Sequence, residues 1–342
     1  MPRLVVDMAD RRPLLRVPSW ALARIRGALP PSWEVVAVET SADGTGDGGD
    51  RASPEALAAV SDAEVYFGFG VPAEILRAGP GLRWVHSGTA GIGASLSPEM
   101  RERDDVVFTN SAGVHAVPIA ETVLAMILYF ARGLDFAVAA NARARWETEP
   151  FEAADSPVRE VAGSTVGIVG FGGIGREVAA RVRALGARVV ALKRRPAEPE
   201  PGVRIVYGAE GLGCLLEESD VIVLAAPETG ETRGMIDAAA LARARPGAVL
   251  VNVARGGLVV EDALVAALRA GRLRGAALDV FAIEPLPASS PLWRLPNVLV
   301  TPHVSAATHR FWERETALIE ENLERYLAGR PLRNVVDKRA GY

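Results

Sequence analysis

Two α/β domains, each built on a parallel sheet, are the fold this 342-residue sequence predicts. Three observations carry that expectation. Short β-branched runs alternate with helical stretches, the pattern of parallel strands joined by crossover helices. One run, Thr165 to Val169, leads straight into glycines at 170, 172 and 175, the GxGxxG spacing. The chain is also long enough for two domains with substantial cores.

The glycine run organises the rest. Gly170 permits a tight turn after the strand, and Gly172 lets the backbone approach a pyrophosphate. Gly175 lets the next helix pack closely on that strand. A helix over 176–185 would aim its unsatisfied N–H groups at the phosphates, and a second strand follows in Gly186 to Leu192. This predicts a dinucleotide site at Gly170, Gly172, Gly173, Ile174 and Gly175.

Composition narrows the class. A hydrophobic share of 49% with 23% charged residues is ordinary for a soluble globular protein. A formal charge of −4 gives no electrostatic reason to expect nucleic acid or an anionic membrane. A single cysteine, Cys214, excludes an internal disulfide framework and a cysteine-rich metal site, and no metal is expected. The first residues, MPRLVVDMADRRPLL, mix acids and arginines into any apolar core, unlike a signal peptide. No apolar run approaches the roughly 20 residues of a membrane span. A soluble, cytoplasmic protein is the expectation.

In chain order, Leu4 to Asp7 opens as a strand, and Trp20 to Leu29 reads as a helix. Trp33 to Val38 is the next strand. The Gly- and Asp-rich stretch 41–50 then breaks all periodicity and reads as a flexible surface loop. Pro54 to Val60 is helical, Ala63 to Phe67 a strand, Ala73 to Ala78 a helix, and Leu82 to His86 a strand. After the run Val106 to Thr109, Pro118 suits a helix start. Ile119 to Arg132 is apolar on nearly all sides and predicts a buried helix. Residues 133–160 read as a polar, arginine-rich excursion. Beyond the glycine run, strands are predicted at Asp220 to Leu224, Ala248 to Val253, Gly275 to Phe281 and Val298 to Thr301. Glu261 to Ala270 is a helix with acids in its first turn, and Phe311 to Leu327 is a last amphipathic helix.

Ligands of open parallel sheets bind beyond the carboxyl ends of the strands. Three ionisable groups lie at such ends: Arg255, Glu284 and His303. An arginine clamps a carboxylate bidentately and polarises a neighbouring carbonyl. A histidine passes a proton near neutral pH, and an adjacent carboxylate fixes its tautomer. These are the parts needed to reduce a 2-oxo acid beside a nicotinamide.

Three motifs, Asn252-Val253-Ala254-Arg255-Gly256-Gly257, Asp279-Val280-Phe281-Ala282-Ile283-Glu284-Pro285 and Thr301-Pro302-His303, strongly resemble the D-isomer-specific 2-hydroxyacid dehydrogenase family. The resemblance runs from about residue 63 to 310 and includes Thr109-Asn110, Ala120-Glu121 and the stretch Pro227 to Gly234. It implies that Arg255 binds the substrate carboxylate and polarises its carbonyl. His303 would be the acid in reduction and the base in oxidation, with Glu284 holding it. Asp279 would hold the nicotinamide carboxamide. Pro227, Thr229, Thr232 and Val253 would line the cofactor. Gly91, Ile92 and Gly93 match, more loosely, a loop whose N–H groups meet the substrate carboxylate. His115 stands where many relatives carry asparagine. It is expected to face the cleft and shape substrate choice without carrying the proton, a hydrogen-bonded hinge role being the structural alternative. His86 and His309 are left as structural or surface residues.

The resemblance implies Rossmann-like and flavodoxin-like domains with an active-site cleft between them. The substrate domain would comprise 1–115 and 306–342, and the dinucleotide domain 116–305. A homodimer is expected through the apolar helix and the following Leu134 to Val138. Ser290-Pro291-Leu292-Trp293 resembles glyoxylate and hydroxypyruvate reductases. Phosphoglycerate oxidation is disfavoured because no added regulatory domain follows. A formate- or phosphite-like dehydrogenase is the nearest alternative, though formate oxidation needs no acid paired with a carboxylate. A nucleotide-sensing corepressor is the other, though only a short tail, RPLRNVVDKRAGY, is present for partners.

Cofactor choice is legible 18 residues after Gly175. An NAD site normally places Asp or Glu there for the ribose hydroxyls. This chain has Lys193, followed by Arg194 and Arg195. A basic cluster can meet a 2′-phosphate with charge-assisted hydrogen bonds, so NADP is predicted over NAD. Glu198 and Glu200 are the groups that could partly neutralise it.

Overall fold

The computed structural model describes every residue except 41–43, 46, 47, 50, 197 and 342. The chain divides into two compact units, Met1–His115 with Ala307–Tyr342, and Ala116–Ala306. Both are parallel-sheet α/β units, as the strand and helix alternation requires.

The first unit runs β1 (Arg3–Asp7), α1 (Ser19–Gly27), β2 (Glu34–Ala37), β3 (Gly44–Thr45), β4 (Gly48–Gly49), α2 (Pro54–Val60) and β5 (Val65–Gly68). It continues with α3 (Ala73–Ala78), β6 (Trp84–Ser87), α4 (Pro98–Glu102) and β7 (Val107–Asn110). The main sheet has order β2-β1-β5-β6-β7, all parallel, so the order reverses between β1 and β5. Its strands alternate faces with period two. Leu4, Val6, Val65, Phe67 and Trp84 pack on α1, whereas Val5, Tyr66, Val85 and Phe108 belong to the core that includes α2 and α3 residues. Within 41–50, expected as a flexible loop, the described residues pair as the short antiparallel ladder β3–β4; the remainder lies outside the described residues.

The second unit opens with α5 (Ala116–Ala131), α6 (Leu134–Ala142) and α7 (Glu149–Glu152), followed by β8 (Thr165–Val169), α8 (Gly173–Ala184), β9 (Arg188–Lys193) and β10 (Val203–Tyr207). Then come α9 (Gly208–Glu218), β11 (Val221–Leu224), α10 (Ala238–Arg243), β12 (Ala248–Asn252), α11 (Glu261–Arg269), β13 (Leu273–Leu278) and β14 (Val298–Val300). The sheet has order β10-β9-β8-β11-β12-β13-β14, all parallel, and reverses direction between β8 and β11. That switch point is where such sheets take ligands. The glycine turn follows β8 directly. The C-terminal helix α12 (Phe311–Leu327) belongs to the first unit, where Phe311, Trp312, Ile319 and Leu323 share a core with Leu4, Val6 and Trp84.

Helix α5 is the buried helix expected, with Ile119, Val123, Met126, Ile127 and Phe130 in its own unit's core, while several other expectations need correction. The uncovered apolar side chains come after it, at Leu134 (46% exposed), Val138 (57%) and Trp146 (95%). The excursion over 133–160 contains the helices α6 and α7. Helix α6 is pinned by a buried pair in which Arg274 on β13 reaches Asp135 at 2.7 Å and lies over the Phe136 ring. Strand β13 ends at Leu278, three residues sooner than expected, so Asp279 to Phe281 form the connection beyond it. Helix α5 begins at Ala116, which leaves Pro118 in the first turn, where its missing N–H has no intrahelical partner to lose.

Candidate active site

The glycine turn has the shape a dinucleotide requires. Gly170 has φ +94°, and a Cβ there would come within 2.6 Å of the Ala226 backbone on the neighbouring connection. A Cβ at Gly175 would run into the carbonyl oxygen of Gly170, so only glycine lets α8 start this close to β8. At Gly172 nothing lies within 4 Å, which leaves room for a ligand against the backbone at the amino end of α8. These residues fit a pyrophosphate, with the helix dipole favouring its charge.

The loop after β11 is internally locked. The Thr232 hydroxyl donates to the Pro227 carbonyl at 2.8 Å and accepts from the Thr229 N–H at 2.8 Å. Val253 is buried in the hydrophobic core and has only its main chain to offer a ligand. Lys193 closes β9, with Arg194 and Arg195 exposed just beyond. Of the acids expected to neutralise this cluster, Glu200 pairs with Arg176 at 3.1 Å. Arg194 has a loose pair at 3.9 Å with Glu231, from the β11 loop.

Arg255, Glu284 and His303 follow β12, β13 and β14, three adjacent strands of one sheet. His303 Nδ1 lies 2.7 Å from Glu284 Oε2, with both side chains about one-third exposed. A carboxylate only accepts, so Nδ1 carries the hydrogen and Nε2 is left to exchange a proton. Glu284 is itself oriented by the Phe281 N–H, which donates to Oε1 at 2.9 Å. Arg255 is half-buried and donates to the Ala254 carbonyl at 2.6 Å. Its turn is braced by Asn252, whose amide donates to the Arg255 carbonyl at 3.0 Å and accepts from the Ala254 N–H at 3.1 Å.

Asp279 is fully buried, and its carboxylate serves the loop that carries His303. Oδ1 accepts from the Thr301 hydroxyl at 2.6 Å and from the Val304 N–H at 2.9 Å; Oδ2 accepts from the Ser305 N–H at 3.0 Å. The Asp279 carbonyl also accepts from the His303 N–H at 2.8 Å. His303 has φ +52°, a left-handed conformation that a side chain rarely adopts unless neighbours hold it there. The resemblance gave Asp279 to the nicotinamide; the geometry also makes it the brace of the histidine loop. Sequence reasoning missed this brace and the role of Asn252. The signal available for Asn252 was an asparagine ending a strand before a turn.

In the first unit, Gly91 to Gly93 form a turn after β6, with Ile92 buried in the core and Gly93 exposed. His115 lies flat on the Phe311 ring of α12, 5.1 Å between centroids and 7° between planes. His86 is fully buried, with Nε2 2.8 Å from Glu315 on α12, and is therefore structural; His309 is exposed. Among the described residues there is no cluster of His, Cys, Asp or Glu able to hold a metal. No single helix there is long and apolar enough to cross a membrane.

The family described as "D-isomer specific 2-hydroxyacid dehydrogenase, NAD binding domain" matches residues 124–305. The chain belongs to the D-isomer-specific 2-hydroxyacid dehydrogenase family. That match spans the glycine turn and all three strand-end motifs. A D-3-phosphoglycerate dehydrogenase of Mycobacterium leprae is 38% identical over 287 residues, 83% of this chain and 52% of that protein. This chain thus spans about half the length of the phosphoglycerate dehydrogenase it matches. An (S)-sulfolactate dehydrogenase of Chromohalobacter salexigens is 36% identical over 261 residues, 76% of this chain and 82% of that one. Among solved structures, the NADPH-dependent glyoxylate/hydroxypyruvate reductase of Sinorhizobium meliloti, in complex with NADP and sulfate, superimposes with a TM-score of 0.79. It is 30% identical, with 100% of both chains covered.

Proposed function

We propose that the protein interconverts a small 2-oxo acid, glyoxylate or hydroxypyruvate foremost, and its D-2-hydroxy acid, with NADP as the hydride carrier. The observation that carries this reading is the Arg255, Glu284 and His303 set at three adjacent strand ends of a domain that also bears the glycine turn. When bound, the reduced nicotinamide supplies a hydride to the C2 carbonyl carbon. Arg255 grips the substrate carboxylate and draws electron density towards the carbonyl oxygen. His303 donates the Nε2 proton to that oxygen in reduction and takes it back in oxidation, while Glu284 keeps Nδ1–H in place. Asp279 holds the His303 loop in register. The turn Gly170 to Gly175 receives the pyrophosphate, alongside Pro227, Thr229, Thr232 and the Val253 main chain. Lys193, Arg194 and Arg195 meet the 2′-phosphate.

The NADPH-dependent structural relative supports the cofactor choice and, with the Ser290 to Trp293 stretch, the glyoxylate and hydroxypyruvate reading. Assembly as a twofold dimer is supported by the exposed Leu134, Val138 and Trp146 on and beyond α6; light scattering at micromolar concentration checks it. The decisive experiment follows loss of reduced-cofactor absorbance with a panel of 2-oxo acids, including phosphorylated and sulfonated ones. Turnover of glyoxylate or hydroxypyruvate supports the reading. Turnover of only the doubly anionic acids replaces the substrate class, and oxidation of formate or phosphite alone replaces the reaction. No turnover at all leaves a nucleotide-binding protein.

A further inference from the structure

Two adjacent glycines let two neighbours close on the turn that carries Arg255. The turn is a single 3₁₀ step, Gly256–Leu258, in the connection after β12. A Cβ at Gly256 would run into the backbone of Phe281 and Ala282, the connection whose Phe281 N–H orients Glu284. A Cβ at Gly257 would fall 2.6 Å from Cδ and Oε1 of Glu228, so that carboxylate lies directly on the glycine. Backbone bonds strengthen this second contact. The Gly257 carbonyl accepts from the Gly234 N–H at 2.7 Å, and the Leu258 carbonyl accepts from the Ile236 N–H at 3.0 Å. The loop after β11 and the turn after β12 are thus laid edge to edge, all within the second unit.

Glu228 is held where it lies. Its side chain is only 22% exposed, and Arg233, five residues on in the same loop, pairs with it at 2.5 Å. A carboxylate so covered is costly unless a cation meets it. Gly257 itself lies outside the left-handed region, so Glu228 rather than the backbone keeps a side chain out of that position.

We propose that Glu228 is a positioning residue for Arg255: seated in the slot that Gly257 leaves, it holds the turn against the Glu284 connection and fixes the root of the arginine side chain. The proposal rests on the role given to Arg255 above. Glu228 needs no contact with the acid or the nicotinamide, because it acts through the turn. A carboxylate grip tolerates only about 0.5 Å of drift, so a loosened turn costs acid binding and carbonyl polarisation together. The cofactor suffers less, since Thr232 still ties Pro227 to Thr229.

The test is a double-mutant cycle in the full chain between Glu228→Ala, which empties the slot, and Arg255→Ala. Glu228→Ala alone should lower kcat/KM for glyoxylate by about tenfold or more, with a smaller loss of NADPH affinity. In the Arg255→Ala background the same change should cost less than about twofold, because the residue it positions is gone. Glu228→Gln, which keeps the shape, should stay within about threefold of the wild type. Should Glu228→Ala not fold, Gly257→Ala gives the same comparison, since its methyl displaces only the end of the Glu228 side chain. A wild type that reduces no 2-oxo acid overturns the reaction, and amide exchange at Gly234 and Ile236 then reads the turn without turnover. That exchange should quicken about tenfold in Glu228→Ala. Unchanged exchange, an unchanged kcat/KM, or an equal loss with and without Arg255 overturns the positioning role.

Discussion

His86 and Glu315 meet at 2.8 Å with neither side chain exposed to solvent, joining β6 to the C-terminal helix α12. His86 Nδ1 is held at 2.9 Å from the Thr109 hydroxyl, which also accepts from the Trp84 indole at 2.8 Å. Removing one partner strands a buried polar group. Glu315→Leu or His86→Leu should each cost about 3–5 kcal/mol of unfolding free energy. The double variant should cost less than the sum by at least about 1 kcal/mol. Denaturant unfolding of the four proteins measures the coupling, and strict additivity would contradict it.

Arg255→Ala removes a group assigned to both binding and polarisation. It should lose about 2–4 kcal/mol of transition-state binding, seen as a higher KM for the 2-oxo acid and a lower kcat together. A loss in kcat/KM below about tenfold would exclude that double role.

Asp279→Asn keeps the volume but turns an amide N–H towards one of the three donors that Asp279 now satisfies. The His303 loop should loosen while the glycine turn is untouched. We expect kcat to fall by about tenfold or more, with a smaller loss of NADPH affinity by fluorescence titration.

Replacing Lys193 and Arg194 together by Ser should weaken NADPH by about tenfold or more and leave NADH within about threefold. Added salt should weaken NADPH binding selectively in the wild type. A wild type that prefers NADH at both low and high salt rules out the 2′-phosphate assignment.

Asp7 ends β1 with its carboxyl buried. Desolvation raises its pKa, against the lowering effect of the Tyr66 hydroxyl bonded to it at 2.8 Å. The folded state therefore holds the Asp7 proton more tightly than the unfolded chain does. The stability this contributes is complete below the unfolded carboxylate value and is lost as pH rises through the raised folded value. Asp7→Asn keeps an acceptor for Tyr66 and cannot ionise. It should raise Tm at neutral pH, and the difference should close under acid; an equal rise at both would contradict the assignment.

The parallel-sheet architecture was legible because β-branched runs and glycine spacing follow from local sterics. The placement of Arg255, Glu284 and His303 beyond adjacent strands was legible because each follows a short β-type run. What escaped depends on partners distant in the chain. Strand β10 was missed because an edge strand with Arg204 and Tyr207 outward lacks a clear apolar pattern. Helix α10 is only six residues long and depends on Asp237 as its cap, which the Ala240 N–H meets at 2.8 Å. The Asp279 brace joins residues more than twenty positions apart, and only the β13–β14 register brings them together.

The first unit takes residues from both ends of the chain, and this bears on the order in which a nascent polypeptide can mature. Residues 116–306 form their whole sheet and both hydrophobic faces from one continuous stretch. The earlier-made strands β1, β5 and β6 lack the Phe311, Trp312, Ile319 and Leu323 side chains, and the Glu315 partner of His86, until α12 has left the ribosome. The segment translated first is therefore the last to close, and until then one apolar face of its sheet is open to chaperones or to misassembly.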